Sequence, residues 1–188
     1  MGKIEEKILF YKIKKNDRQA FIKAYDLYID QLYRFIYFKV GSKEEAEDLC
    51  SAVFLKAWNY ILEKSLIEEK SLKALLYKIA RNSIIDYYRK NKDKESISLD
   101  AEQAAEAVDE RRSAVDDLTL KMDLLVIETR LPRLKDEYRE IIVLRFVNEL
   151  SVKEIAEILD KPKGGVRVLI FRALKALREL VREDVNNL

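Results

Sequence analysis

Histidine is absent from this 188-residue chain, and cysteine occurs once, at Cys50. A lone thiol can form no intramolecular disulfide, and without imidazole most metal sites and the familiar catalytic triads are excluded. The four glycines form no loop of the kind that cradles phosphates. No enzyme activity, metal or cofactor is therefore expected. No run of about twenty apolar residues could span a bilayer. The opening stretch, MGKIEEKILFYKIKKND, carries acidic residues and has no small-residue cleavage site, so it is not expected to be a signal peptide. Glu6 stands where N-myristoylation wants serine or threonine, so that modification is not expected either. A soluble, cytoplasmic protein is the expectation.

Proline is nearly as scarce as cysteine, with two residues in all. Few helix breakers, many charged residues and an apolar fraction of 48% predict an all-α protein with a real core. The net charge is only +2, so the distribution of charge carries more than its sum.

The most informative stretch is Leu150–Leu177, LSVKEIAEILDKPKGGVRVLIFRALKAL. Ser151 and Glu154 have capping-box spacing and predict a helix start. Ile155, Ala156 and Leu159 give that helix one apolar face. Asp160-Lys161 reads as a break, and Pro162 suits the first turn of a second helix. Val166, Leu169, Ile170, Ala173, Leu174 and Leu177 then form its buried stripe. Two such helices predict a helix-turn-helix, whose second helix enters the DNA major groove. Lys163 and Arg167 lie at the front of that helix and Arg172 further along, where side chains reach bases and phosphates. A helical hairpin with solvated cations is the bland alternative for this stretch alone. Many helix-turn-helix units have glycine where Asp160 stands and an apolar residue where Lys161 stands.

In chain order, residues 3–14 read as a short helix, and Asn16-Asp17 as a break and cap. A long helix from Arg18 to about Lys39 is rich in aromatic residues at core spacing and ends at Gly41. Ser42 and Glu45 suggest another capping box, opening a helix to about Leu62. Its buried side is Ala46, Leu49, Cys50, Val53, Phe54, Ala57, Trp58 and Ile61. Its exposed start is acidic, with Glu44, Glu45, Glu47 and Asp48, which suits the helix dipole or a basic partner. A fourth helix, about Ser71–Asn91, has a core stripe of Leu72, Leu75, Leu76, Ile79, Ala80 and Ile84. Its other face carries Tyr77, Lys78, Arg81, Asn82, Tyr87, Tyr88, Arg89 and Lys90. Exposed rings interleaved with cations suit single-stranded nucleic acid, with bases stacked on the rings and phosphates held by the cations. A solvated basic helix end is the alternative. Residues 93–117 are acidic, lack a sustained stripe and read as a linker. The chain thus divides into a helical domain at 1–92, an acidic linker at 93–117 and a second helical domain at 118–188. In the second, a helix from Leu118 should stop before Pro132, and another should run from Asp136 to Phe146.

These blocks, in this order, resemble a bacterial RNA polymerase sigma factor of the extracytoplasmic-function (ECF) group of the sigma-70 family. Asp17, Ala20-Phe21, Tyr25 and Tyr28 match the family's opening. Ala46-Glu47-Asp48-Leu49, Val53-Phe54 and Trp58 match its polymerase-docking helix. Ile79-Ala80-Arg81-Asn82 and Asp86-Tyr87-Tyr88-Arg89 match the block that melts and reads the −10 promoter element. Glu154-Ile155-Ala156, Val166-Arg167 and Phe171-Arg172-Ala173 match the reader of the −35 element. The resemblance implies a non-catalytic factor that binds core RNA polymerase and directs promoter-specific initiation. It implies polymerase contacts by Glu47, Asp48, Leu49, Ser51 and Phe54. It implies −10 contacts by Tyr77, Arg81, Asn82, Asp86, Tyr87, Tyr88, Arg89 and Lys90. It implies −35 contacts by Lys163, Gly164, Gly165, Arg167, Val168, Phe171 and Arg172. Partners would be core RNA polymerase, promoter DNA and an anti-sigma factor. Ser51, Leu75 and Gly165 stand where the family often has glutamine, tryptophan and threonine, and Val168-Leu169 replace a frequent Ser-Arg. A DNA-binding regulator without polymerase contact is the competing reading.

Overall fold

The computed structural model describes residues 3–63, 71–92 and 130–186. The linker expected at 93–117 and most of the helix expected from Leu118 lie outside them. Every regular element among the described residues is helical, as expected. None of these helices is long and apolar enough to cross a membrane.

Among the described residues, the first unit is a packed set of four helices. Lys3–Lys14 (α1) is followed by a left-handed Asn16. Asp17 then caps Arg18–Val40 (α2) by accepting from the Ala20 N–H at 3.1 Å. Gly41 ends α2 at φ 77°, a left-handed position that favours glycine, and its N–H reaches the Tyr37 carbonyl at 2.8 Å. Lys43–Glu63 (α3) begins beside Ser42, whose Oγ accepts from the Glu45 N–H at 3.4 Å. This is the serine half of the expected capping box, and the Ser42 hydroxyl in turn donates to Glu44 Oε2 at 3.1 Å. Leu72–Lys92 (α4) is capped by Ser71, which accepts from the Ala74 N–H at 3.2 Å. Along α2, Ala20, Ala24, Tyr28, Leu32, Phe35 and Ile36 are buried at helical spacing. They meet Ala46, Cys50, Val53, Phe54, Ala57 and Ile61 of α3 and the stripe of α4. A fully buried side chain such as Leu32 or Phe35 contributes about 1.5–3 kcal/mol through the hydrophobic effect.

In the second unit the described residues begin at Arg130 and pass into a 3-10 turn, Leu131–Arg133, which contains Pro132. Asp136–Ile142 (α5) follows. The expected helix to Phe146 is present, but its last part, Val143–Val147, widens into a π turn. Asn148 N–H bonds the Val143 carbonyl five residues back, at 2.9 Å. Ser151 and Glu154 make the full reciprocal capping box of Val152–Leu159 (α6). Asp160 closes α6 at φ 52°, a left-handed position that aspartate tolerates, so the turn does not require glycine. Pro162 stands one residue before Lys163–Asn186 (α7), and its carbonyl accepts from the Val166 N–H at 3.1 Å. Val166, Leu169, Ile170, Ala173, Leu174 and Leu177 are all buried, as their spacing predicts. The helix-turn-helix is therefore present.

The two units also pack on each other. α4 lies against α6, α2 lies against the π turn, and one apolar core continues through both. The sequence, read as two domains on a tether, does not foresee this contact.

Candidate nucleic-acid interface

The front of α7 is exposed because its apolar stripe turns the opposite way. Lys163, Gly164, Gly165 and Arg167 face solvent, with Val168 39% and Phe171 40% exposed behind them and Arg172 half-buried. A Cβ on Gly164 would meet nothing within 4 Å, and one on Gly165 would sit 3.6 Å from Pro162 Cγ. Neither glycine is needed for packing, so both leave the helix front low, where a groove wall can approach closely.

The second half of α4 presents Asn82, Arg89 and Lys90 to solvent, with Asp86 and Tyr87 half-buried. Arg89 Nη2 donates to Asp86 Oδ1 at 3.1 Å. Tyr87 and Tyr88 pack edge to face, with centroids 5.4 Å apart. The Tyr88 hydroxyl donates to the Lys39 carbonyl. Burial raises its pKa, with Arg139 opposing and Asp136 adding to the rise.

Tyr77 corrects the sequence reading, which set it on the exposed face. It is 1% exposed, lies edge to face with Phe35 at 5.2 Å, and accepts a hydrogen bond from the Asn148 amide of the other unit. Burial pushes its hydroxyl up to about 12, despite the Asn148 hydrogen bond acting the other way. The error came from treating α4 as a helix with one buried side. It is buried on two, once by α2 and α3 and again by the second unit. Arg81 is partly covered for the same reason, its Nε 2.7 Å and Nη2 3.3 Å from the two oxygens of Glu140.

On α3, Glu47, Asp48 and Ser51 are exposed and Leu49 is half-buried. Ser51 Oγ donates to the Glu47 carbonyl at 3.0 Å, so this hydroxyl serves its own helix. Phe54 is buried, as its spacing predicts, which corrects only the direct polymerase contact that the resemblance implies for it. It is only 4% exposed, its ring 4.6 Å from Tyr25 and 6.3 Å from Phe21. It supports the surface from below. Cys50 is buried and desolvation raises its thiol to about 11, which fits the inert core residue its position predicts.

Lys39, Lys73, Glu140, Asn148 and Glu154 were not singled out as a group, although they join the two units. Lys73 Nζ lies 2.7 Å from Glu154 Oε1 and 3.8 Å from Glu6 Oε1. Burial alone would raise the Glu154 carboxyl, but hydrogen bonds from Lys73 and Ser151 outweigh it and hold the group below its ordinary 4.5. A depressed carboxyl stabilises the fold above its unfolded pKa and loses that contribution as pH falls through the folded value. Thermal stability is therefore expected to decline below about pH 4.5, and Glu154→Gln should flatten that acid limb. A melting series with the same acid slope in both proteins would exclude this group as a cause.

Comparison with known proteins bears on both units. The family model described as Sigma-70 region 2 matches residues 24–94, and that described as Sigma-70, region 4 matches residues 124–177. The ECF RNA polymerase sigma factor SigW of Bacillus subtilis is 36% identical over 180 residues, covering 92% of this chain and 94% of that protein. The ECF RNA polymerase sigma factor BldN of Streptomyces coelicolor is 30% identical over 176 residues, covering 94% of this chain and 66% of that one. Among solved structures, CnrH in complex with the cytosolic domain of CnrY superposes with a TM-score of 0.68 at 21% identity, covering 95% of this chain and 98% of that chain. RpoE with the anti-sigma factor NepR from Bartonella quintana gives 0.64 at 23% identity, with 87% and 98% covered. At these identities the two structures speak for the fold alone.

Proposed function

The chain belongs to the ECF group of the sigma-70 family, initiation factors that bind core RNA polymerase and direct promoter-specific transcription, and from that premise we propose which of its residues do this work. The exposed acidic start of α3, with Glu47 and Asp48 flanked by Leu49 and Ser51, docks on a basic surface of the polymerase. Phe54 holds that surface in shape. Asn82 takes a base flipped out of the melted −10 strand. Tyr87 and Tyr88 supply stacking, Arg81, Arg89 and Lys90 hold phosphates, and Asp86 orients Arg89. Arg167, Lys163 and Arg172 contact the −35 duplex, with Val168 and Phe171 against it and Gly164 and Gly165 admitting the groove wall. The protein works in the cytoplasm, without catalysis of its own. An anti-sigma factor would act by covering the α3 face.

The observation that carries this reading is the exposure, on three separate faces, of an acidic helix start, an asparagine beside tyrosines and cations, and a basic helix front. Each face has the chemistry its target needs: carboxylates for a basic protein surface, rings and amide for a free base, and cations for duplex phosphate.

Extracting a base costs a few kcal/mol, and a preformed pocket offsets this only once the duplex has melted. Asn82→Ala is therefore expected to lower open-complex formation by about tenfold, the loss of a hydrogen-bonded base contact, while leaving duplex binding nearly unchanged. The assay uses holoenzyme reconstituted with core polymerase, on promoters selected by the wild-type protein from a random library. Equal losses in opening and duplex binding would remove the base pocket from Asn82.

A further inference from the structure

Ile84 and Ile85 are neighbours on α4 with opposite surroundings. Ile84 is 3% exposed and belongs to the core, whereas Ile85 is 60% exposed. A single exposed apolar residue ordinarily needs no explanation. What sets Ile85 apart is its place. It stands three residues after Asn82 and four before Arg89, so the three share one face of the helix, and Asn82 and Arg89 are exposed as well. Those two are assigned above to a base and a phosphate of the −10 strand. At a rise of about 1.5 Å per residue, Ile85 lies ~4.5 Å along the helix axis from Asn82. Successive nucleotides of one stacked strand are spaced by about 3.4 Å. A strand held at Asn82 and at Arg89 therefore passes Ile85 with the nucleotide adjoining the held base. The nearest acid in sequence, Asp86, is paired with Arg89, so what the helix offers the strand at this point is apolar surface.

An isoleucine side chain can neither donate nor accept a hydrogen bond. Amino groups and carbonyls on the edges of adenine, guanine and cytosine would lose water against it and gain no partner, which is unfavourable. The C5 methyl of thymine is the apolar group among the base edges, and it gains from the same contact. We infer that Ile85 reads a thymine, through its C5 methyl, at the position next to the base held by Asn82. The inference deepens the −10 reading of α4 and rests on it. It divides the face by chemistry: an amide for the flipped base, an apolar contact for its neighbour, and a guanidinium for the phosphate beyond.

The test uses holoenzyme reconstituted with core polymerase and the promoters selected by the wild-type protein. The non-template strand of the −10 element is left unpaired, so that binding is read without the cost of melting. The base held by Asn82 is the one whose removal to an abasic site weakens the wild type and not Asn82→Ala. Each thymidine of the strand is then replaced in turn by deoxyuridine, which removes only the methyl group. Wild-type holoenzyme is expected to lose about fourfold in affinity at one position, next to that base, the effect of returning one methyl group to water. Ile85→Ala should bind the thymidine promoter as weakly as the wild type binds the deoxyuridine one, and should be indifferent to the replacement. Because Ile85 is exposed, its circular dichroism should match the wild type. A selected promoter with no thymine at that position overturns the inference, and so does a wild type that loses nothing on replacement. Equal losses in wild type and Ile85→Ala overturn it too. Asn82→Ala and Arg89→Ala separate the causes of failure. If they weaken binding while the thymidine losses stay equal, only the role of Ile85 has failed. If they change nothing, the −10 reading of α4 has failed and the inference falls with it.

Discussion

Asp48→Lys is expected to abolish co-purification with core RNA polymerase, weakening the complex at least about a hundredfold. The side chain is exposed near the start of α3, beside exposed Glu47. Replacing it does not disturb the buried stripe of Ala46, Cys50, Val53 and Phe54. What changes is the sign of the charge offered to a basic partner surface. Placing like charges opposite each other costs several kcal/mol, and each 1.4 kcal/mol is tenfold in affinity. Circular dichroism should match the wild type, which separates a lost interface from a lost fold. Ser51→Ala should do far less, because its hydroxyl already bonds the Glu47 carbonyl within the helix. A polymerase complex of wild-type strength with Asp48→Lys would move the docking surface off α3. If neither protein bound polymerase while both still bound duplex DNA, the chain would be acting as a regulator without polymerase contact.

Arg167→Ala is expected to weaken binding to −35 duplexes by roughly 1–3 kcal/mol, with the loss concentrated at one base position, if the guanidinium makes a bidentate contact to guanine. Arg167 is exposed on the front of α7, one helical turn from exposed Lys163 and beside buried Val166, which fixes the direction of that face. Lys163→Ala is the internal comparison. As a phosphate contact it should lower affinity evenly across sequences and reduce the slope of log affinity against log salt by about one. The two are read by holoenzyme binding to a duplex library at two salt concentrations. An Arg167→Ala loss that is even across the library would make the arginine a phosphate contact and leave sequence reading to Phe171 and Arg172.

The helices of the first unit, the helix-turn-helix and the buried stripe of α7 are legible in the sequence because each is written in spacings of three and four residues and in local caps. Ser151 with Glu154 predicts the start of α6, and the structure makes that cap in both directions. Val166 to Leu177 predicts its own burial. The exposed members of the candidate site follow by subtraction, since what the stripe does not bury must face out. Tyr77 was misplaced because subtraction fails for a residue covered from a second side, whereas Phe54 sits in the stripe its spacing predicts. The π turn at Val143–Val147 has no local signature that separates it from an ordinary helix end.

By itself, then, the sequence determined the all-α class, the helix-turn-helix and the order of blocks that marks the family. Only the tertiary structure decided that α4 packs beneath α6 and that Arg81 meets Glu140 59 residues away. Likewise only it decided that Asn148 reaches across 117 residues to Gln31. The reason is physical. Periodicity and capping are properties of neighbours along one helix. A cation and a carboxylate brought together by the docking of two units leave no spacing in the chain, and each taken alone reads as an ordinary charge on a helix face.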